Sequence, residues 1–115
     1  MQGKTFRDHQ RLLHILDACK AIHNHLGGLK RENFLNDHKT RDALIYQLII
    51  IGEAVIHIDN DLLSKYEYPW FKVRAFRNYA IHEYFNIEMW TVWDVVDIHI
   101  PELEKVVKEI IVNEF

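Results

Sequence analysis

One short segment, residues 77–84, brings together side chains that can act on a phosphodiester. It contains Arg77, Asn78, His82 and Tyr84. The arginine guanidinium stays charged and offers planar forked donors that match phosphate oxygens, and histidine gains or loses a proton near neutral pH. Such a pair could cleave RNA without a metal. The imidazole would move a proton at the ribose 2′-hydroxyl or at the leaving oxygen, while the guanidinium stabilises the charge on the phosphorane.

Helix geometry restricts how these groups can cooperate. On an ideal helix Arg77 and His82 lie roughly 140° apart, whereas Asn78 and His82, four residues apart, share a face. Asn78 could therefore hold the imidazole in one tautomer. Arg77 reaches the same phosphate only through its long side chain, through a break in the helix, or from a second subunit. The last option would make dimerisation part of the mechanism.

A local basic patch is the second candidate for contact with RNA. The net charge of −3, from 14 basic and 17 acidic side chains, argues against a protein that coats nucleic acid indiscriminately. Lys72 and Arg74, however, lie close to Arg77 in a stretch interleaved with aromatic residues. They are predicted substrate-binding residues. The alternative is an amphipathic helix with a solvated basic face.

Length and composition indicate one globular domain that spans residues 1–115. The chain is 49% apolar and 27% charged, which is enough for one core. No apolar stretch approaches the roughly 20 residues of a membrane span, and the polar first residues do not resemble a signal peptide, so we expect a cytoplasmic location. Cys19, the single cysteine, excludes an internal disulfide and is expected to be a small buried apolar residue.

Apolar spacing of three and four residues predicts an all-α fold, an up-and-down bundle of about four long helices. The first helix should run from about residue 4 to 26 and end at Gly27-Gly28, and the second from about 40 to 58. Gly52, inside the second, is expected to let a neighbouring backbone approach closely. Pro69 should open the third helix, which frays near residue 83, and Asn86 should cap the last.

The last predicted helix contains Pro101, so we expect a kink or two abutting helices there.

Each candidate site residue also has a purely structural explanation. Arg77 could form an ion pair with Glu53 or Glu83, His82 could be a hydrogen-bonded histidine at a helix end, and Tyr84 could be an interface aromatic. Glu53 could act as a second acid or base, or as a carboxylate that orients a neighbouring helix. The other histidines lack the spacing of a helical zinc pair, so no metal site is predicted, and no glycine-rich phosphate loop is present.

An ordered set of short motifs resembles the HepT-like branch of the HEPN superfamily over nearly the whole chain. The set is Ile51-Gly52-Glu53-Ala54, then Pro69-Trp70, Arg77-Asn78, His82-Glu83-Tyr84-Phe85, Trp93 and Pro101-Glu102-Leu103. The Arg-to-His spacing alone is a weak signal. The specificity of the resemblance comes from the order of the whole set.

This resemblance implies a ribonuclease toxin of a type II or type VII-like toxin–antitoxin system, a helical homodimer without a cofactor. Its partner would be a minimal nucleotidyltransferase antitoxin that transfers AMP from ATP onto the motif tyrosine. By the same resemblance, Arg77 and His82 would be catalytic, Asn78 would orient them, and Tyr84 would accept AMP. Nucleotide placed beside the pair would repel an RNA backbone. The alternative is a non-catalytic scaffold that binds nucleotide or phosphate and serves a nucleotidyltransferase.

Overall fold

A computed structural model describes residues 2–115, and every regular element in that range is helical. The all-α prediction is therefore confirmed, with about four long helices and several short ones. The elements are α1 (Gln2–Leu26), α2 (Arg31–Phe34), α3 (His38–Ile56), α4 (Asn60–Leu63), α5 (Trp70–His82), a 3₁₀ turn (Tyr84–Asn86), α6 (Met89–Asp94), a π-helical turn (Val95–His99) and α7 (Ile100–Glu114).

The core forms where α3 packs between α1 and α5, with α7 against α1. The apolar stripe of α1 packs into the core, as its three- and four-residue spacing predicts, and Cys19 in it is fully buried. Gly27 ends α1 with φ of 57°, a left-handed conformation that favours glycine. Between α1 and α3 the expected polar joint contains the short helix α2, which is anchored by the fully buried Phe34.

Helix α3 begins at His38, two residues before the predicted start. Asp37 caps it, because its carboxylate accepts hydrogen bonds from the backbone N–H of Thr40 at 3.0 Å and from the Thr40 hydroxyl at 2.7 Å. These two bonds lower the pKa of Asp37. The helix ends at Ile56 rather than at the predicted Ile58.

Helix α5 begins at Trp70 directly after Pro69, as predicted. The indole N–H of Trp70 donates to the carbonyls of Leu63 and Tyr66 at 3.0 and 3.2 Å, which fastens the start of α5 to the end of α4. The helix ends at His82, and Glu83 leaves the helical conformation. The segment that carries the candidate site therefore starts at a fixed point and ends in an exposed turn.

The prediction that Asn86 caps the last helix is wrong. Asn86 closes the 3₁₀ turn instead, and its side-chain amide donates to Glu83 at 2.6 Å, so it is committed to the preceding residues. Helix α6 begins later, after Glu88, without a side-chain cap. The expected break near Pro101 is present as the π-helical turn that immediately precedes α7. Proline lacks the N–H that a continuous helix would need there.

No helix in the described part of the chain is both long enough and apolar enough to cross a membrane.

Candidate functional site

Gly52 fixes the position of the helix that carries the site. A Cβ built on it would lie 2.3 Å from Arg77 Cβ, 2.9 Å from Arg77 Cγ and 3.2 Å from the carbonyl oxygen of Val73. Only a residue without a side chain allows α5 to pass this close to α3. The predicted close approach at Gly52 is confirmed. The side-chain atoms that lie against Gly52 are Cβ and Cγ of Arg77.

The Arg77 guanidinium is held by two oxygen atoms. One Nη donates to Glu53 Oε2 at 2.7 Å, and the other donates to Asn78 Oδ1 at 2.8 Å. The Nε is buried and donates to none of the described residues. An unsatisfied buried donor is unfavourable by about 1–3 kcal/mol, and the close carboxylate offsets that cost. The guanidinium is therefore oriented before any ligand binds.

Glu53 joins Arg77 to the histidine that follows its own helix. Its Oε1 lies 3.0 Å from Nε2 of His57, the first residue after α3. The hydrogen bond with His57 lowers the pKa of Glu53, and the charge of Arg77 lowers it further, while partial burial opposes both. The carboxylate is therefore ionised at neutral pH. Of the two structural partners considered for Arg77, Glu53 is the one in contact, and Glu83 is bonded to Asn86.

His82 differs from Arg77 because its ring is exposed and none of the described residues forms a hydrogen bond with it. Asn78 shares its helix face, yet the side-chain oxygen of Asn78 accepts from Arg77 rather than from the imidazole. On an ideal helix His82 lies about 7.5 Å further along the axis than Arg77 and roughly 140° around it. Within one chain the guanidinium is directed towards α3 and the imidazole lies in solvent.

Tyr84 is bound at the opposite end of α3 from Glu53. Its hydroxyl donates to Asp42 Oδ1 at 2.5 Å, and its ring lies under the Arg41 guanidinium, 4.9 Å from the ring centre. The buried Arg41 also donates to the carbonyls of Tyr84 and Ile87 at 2.8 and 3.1 Å. Burial raises the pKa of Tyr84 and the bond to Asp42 raises it further, while the same bond lowers the pKa of Asp42.

The separation between Tyr84 and the Arg77 ion pair follows from their partners on α3. Asp42 and Glu53 are eleven residues apart, which corresponds to roughly 16 Å along the helix. The arginine and the tyrosine of the motif are therefore anchored near opposite ends of α3. His82 comes between them in the chain.

The other two basic residues of the predicted patch, Lys72 and Arg74, have different neighbours in the structure. Arg74 donates to Asn60 Oδ1 at 3.3 Å, and Lys72 lines an apolar groove between α5 and α7. Arg77 is directed towards α3, where it pairs with Glu53. In the range 2–115 no group of three or more histidine, cysteine or acidic side chains could hold a metal ion.

Sequence reasoning did not assign a role to Arg41, Asp42 or His57. Two of them contact residues more than 40 positions away, and no local spacing indicates such a pair. His57 could have been found, because it lies four residues after Glu53 on a helix and thus on the same face.

The fold and site define a small helical protein in which one helix carries a guanidinium fixed against α3 and ends at an exposed imidazole, the groups used in acid–base phosphodiester chemistry. The chain belongs to the HepT-like family, described as ribonuclease HepT-like, whose model matches residues 15–110. The resemblance inferred from the motifs is therefore confirmed.

Relatives in bacteria and archaea are named as ribonucleases. One from Caldanaerobacter subterraneus subsp. tengcongensis, named "Putative RNase", is 36% identical over 90% of this chain and 93% of its own. A "Probable ribonuclease HepT" from Thermococcus cleftensis is 36% identical over 85% of this chain and 91% of its own. A "Putative RNase" from Methanocaldococcus jannaschii is 36% identical over 86% of both chains. No solved structure matches the chain.

Proposed function

We propose that the protein is a metal-independent endoribonuclease, the toxin of a type II or type VII-like toxin–antitoxin system, with Arg77 and His82 as its catalytic residues. The observation that carries the proposal is the contrast between the two side chains. Arg77 is held in one orientation by Glu53 and Asn78, as is required of a group that stabilises charge in the transition state. His82 is exposed and forms no hydrogen bond within residues 2–115, as a residue that exchanges protons with substrate requires.

The proposed reaction uses the ribose 2′-hydroxyl as nucleophile. His82 takes the proton from this hydroxyl as its oxygen attacks the adjacent phosphorus, and the bond to the 5′-oxygen breaks. The leaving oxygen receives a proton from water, which gives a 2′,3′-cyclic phosphate and a 5′-hydroxyl. Arg77 stabilises the charge on the equatorial phosphorane oxygens, and Asn78 keeps the guanidinium in place. Lys72 and Arg74 are proposed to bind the RNA backbone next to the phosphate that reacts.

A homodimer is part of this proposal because Arg77 and His82 do not face one point within a single chain. The segment that carries them leaves apolar side chains in solvent: Tyr79 is 44% exposed, Ile81 46% and Phe85 94%. Exposed aromatic and aliphatic groups of this size favour association with another surface. A second copy would cover them and would bring the arginine of one chain towards the histidine of the other.

The proposed regulation acts on Tyr84. A minimal nucleotidyltransferase antitoxin would transfer AMP from ATP onto its hydroxyl, with release of pyrophosphate. Asp42 supports this role, because it accepts a hydrogen bond from the hydroxyl and can take its proton when the oxygen attacks the α-phosphorus. The attached AMP would add negative charge two residues after His82 and would repel the RNA backbone.

Cleavage of RNA in excess EDTA tests the enzymatic proposal. Untagged, unmodified wild-type protein should cleave, and His82→Ala should reduce the rate by at least 100-fold, in line with the roughly 10²–10⁴-fold contribution of a general acid or base. His14→Ala, which removes another exposed histidine on α1, is the matched control and should cleave like wild type. Cleavage by His82→Ala at the wild-type rate would refute the assignment.

The second candidate is a non-catalytic scaffold for the nucleotidyltransferase. It is favoured by one observation, that Glu53 already neutralises the charge of Arg77 at 2.7 Å. A scaffold would bind nucleotide or phosphate at Arg77 and would accept AMP, but unmodified protein would leave RNA intact. The same EDTA assay distinguishes the two functions.

A further inference from the structure

A cationic cleft lies on the other side of Glu53 from Arg77. It is a cavity of about 460 Å³ between the first turns of α1 and the end of α3. Four of its side chains are basic, namely Lys4, Arg7, Arg11 and His57, and two are acidic. Lys4, Arg7 and Arg11 recur at intervals of three and four residues, so α1 presents them on one face.

The acidic residues of the cleft are already used within the protein. Asp59 forms an ion pair with Lys4 at 2.8 Å and also caps α4. Asp8 is only 6% exposed and accepts the backbone N–H of Asp59 at 3.3 Å. Neither Arg7 nor Arg11 forms an ion pair or a hydrogen bond with a residue of the described range. The cleft therefore offers two uncommitted guanidinium groups, which suit phosphate oxygens.

The carboxylate of Glu53 connects this cleft to the candidate catalytic site. His57, at the rim, lies 3.0 Å from one oxygen, and Arg77 lies 2.7 Å from the other. The two nitrogen atoms are therefore at most about 8 Å apart, the length of two hydrogen bonds and one carboxylate. The rim of the cleft therefore adjoins the candidate catalytic site, and basic grooves follow the backbone in proteins that bind single strands.

We propose that Arg7 and Arg11, with His57 at the rim, bind a backbone phosphate of single-stranded RNA next to the phosphate held by Arg77. The inference rests on the ribonuclease function proposed above and adds a subsite to it. The cleft holds the strand and takes no part in the proton transfers. It supplies local positive charge to a protein whose net charge is −3.

Binding of a single-stranded oligonucleotide with 2′-O-methyl groups tests the subsite separately from cleavage, because the blocked 2′-oxygen cannot attack. The variant is Arg7→Gln/Arg11→Gln, and the matched control is Lys20→Gln/Arg31→Gln, which removes the same charge from other exposed positions. The cleft variant should bind about tenfold more weakly than the control. Its slope of log affinity against log salt should be smaller by about 0.7, the value for one lost phosphate contact on a single strand.

A charge-preserving variant, Arg7→Lys/Arg11→Lys, separates loss of the phosphate contact from loss of folding. It should keep the salt slope of the wild type with a smaller loss of affinity, because ammonium groups retain the charge but not the forked geometry. Equal affinity and equal slope in the cleft and control variants would overturn the inference. Loss of binding confined to the cleft variant, in a protein that cleaves no RNA, would support the subsite and contradict only the proposed catalysis.

Discussion

Gly52→Ala should damage the site through backbone geometry, although it removes no charged group. The new Cβ would lie 2.3 Å from Arg77 Cβ, whereas ordinary contacts are 3.4–4 Å, so α3 and α5 must separate by on the order of 1 Å. Overpacking of this kind costs about 1–3 kcal/mol, and the better helix propensity of alanine returns about 1 kcal/mol. We expect a net loss of unfolding free energy of up to about 2 kcal/mol.

The effect on cleavage should exceed the effect on stability. Misplacement of a catalytic group by about 1 Å can reduce a rate by about 10²-fold, and Arg77 is the residue that is displaced. Urea unfolding followed by tryptophan fluorescence, at one fixed protein concentration, gives the stability. RNA cleavage in EDTA gives the rate.

Two further variants isolate the contact between position 52 and Arg77. Gly28→Ala is the matched control, because a Cβ there meets nothing within 4 Å, and it should change neither quantity. Arg77→Gly removes the Cβ that the methyl group introduced by Gly52→Ala would meet. The double variant Gly52→Ala/Arg77→Gly should therefore be more stable than the sum of the two single changes predicts. Additive effects on stability, or a Gly52→Ala protein as active as wild type, would refute the reasoning.

Three other predictions concern single side chains. Tyr84→Phe should fold normally but gain no AMP from the nucleotidyltransferase, and an equal adduct by intact mass on wild type and variant would refute Tyr84 as acceptor. Burial raises the pKa of Cys19 to about 12, so a thiol reagent at pH 8 should label it only after unfolding, and rapid labelling of the folded protein would contradict that burial. The hydrogen bonds from Thr40 lower the pKa of Asp37 in the folded state, so its stabilising contribution is present above the unfolded value of about 3.9 and is lost as the pH falls through the folded value. Asp37→Ala should accordingly lower the urea midpoint at pH 7 and lower it less at pH 3, whereas an equal shift at both would contradict the cap.

Elements with strong local signals were predictable from the sequence. The apolar spacing of α1 and α3 gave their existence and type, Pro69 gave the start of α5, and Gly52 indicated a close backbone approach. These features depend on residues within one helix, so one stretch of sequence contains the information.

The partners of the site residues were not predictable, because they depend on how helices are oriented against each other. From the sequence, either Glu53 or Glu83 could pair with Arg77. The packing of α5 against Gly52 brings Arg77 to Glu53. The contact of Tyr84 with Asp42 joins residues 42 positions apart across two helices. Asn86 was misassigned because asparagine suits both a helix cap and the end of a turn, and local sequence does not distinguish them.

Mixed dimers test most directly whether Arg77 of one chain and His82 of another act on the same phosphate. Arg77→Ala and His82→Ala proteins should each be inactive alone. When both are unfolded and refolded together, a mixed dimer regains one site with both native side chains. A statistical mixture should then recover about a quarter of the wild-type cleavage rate. A mixture that forms heterodimers but stays as inactive as its parents would contradict a site shared between two chains.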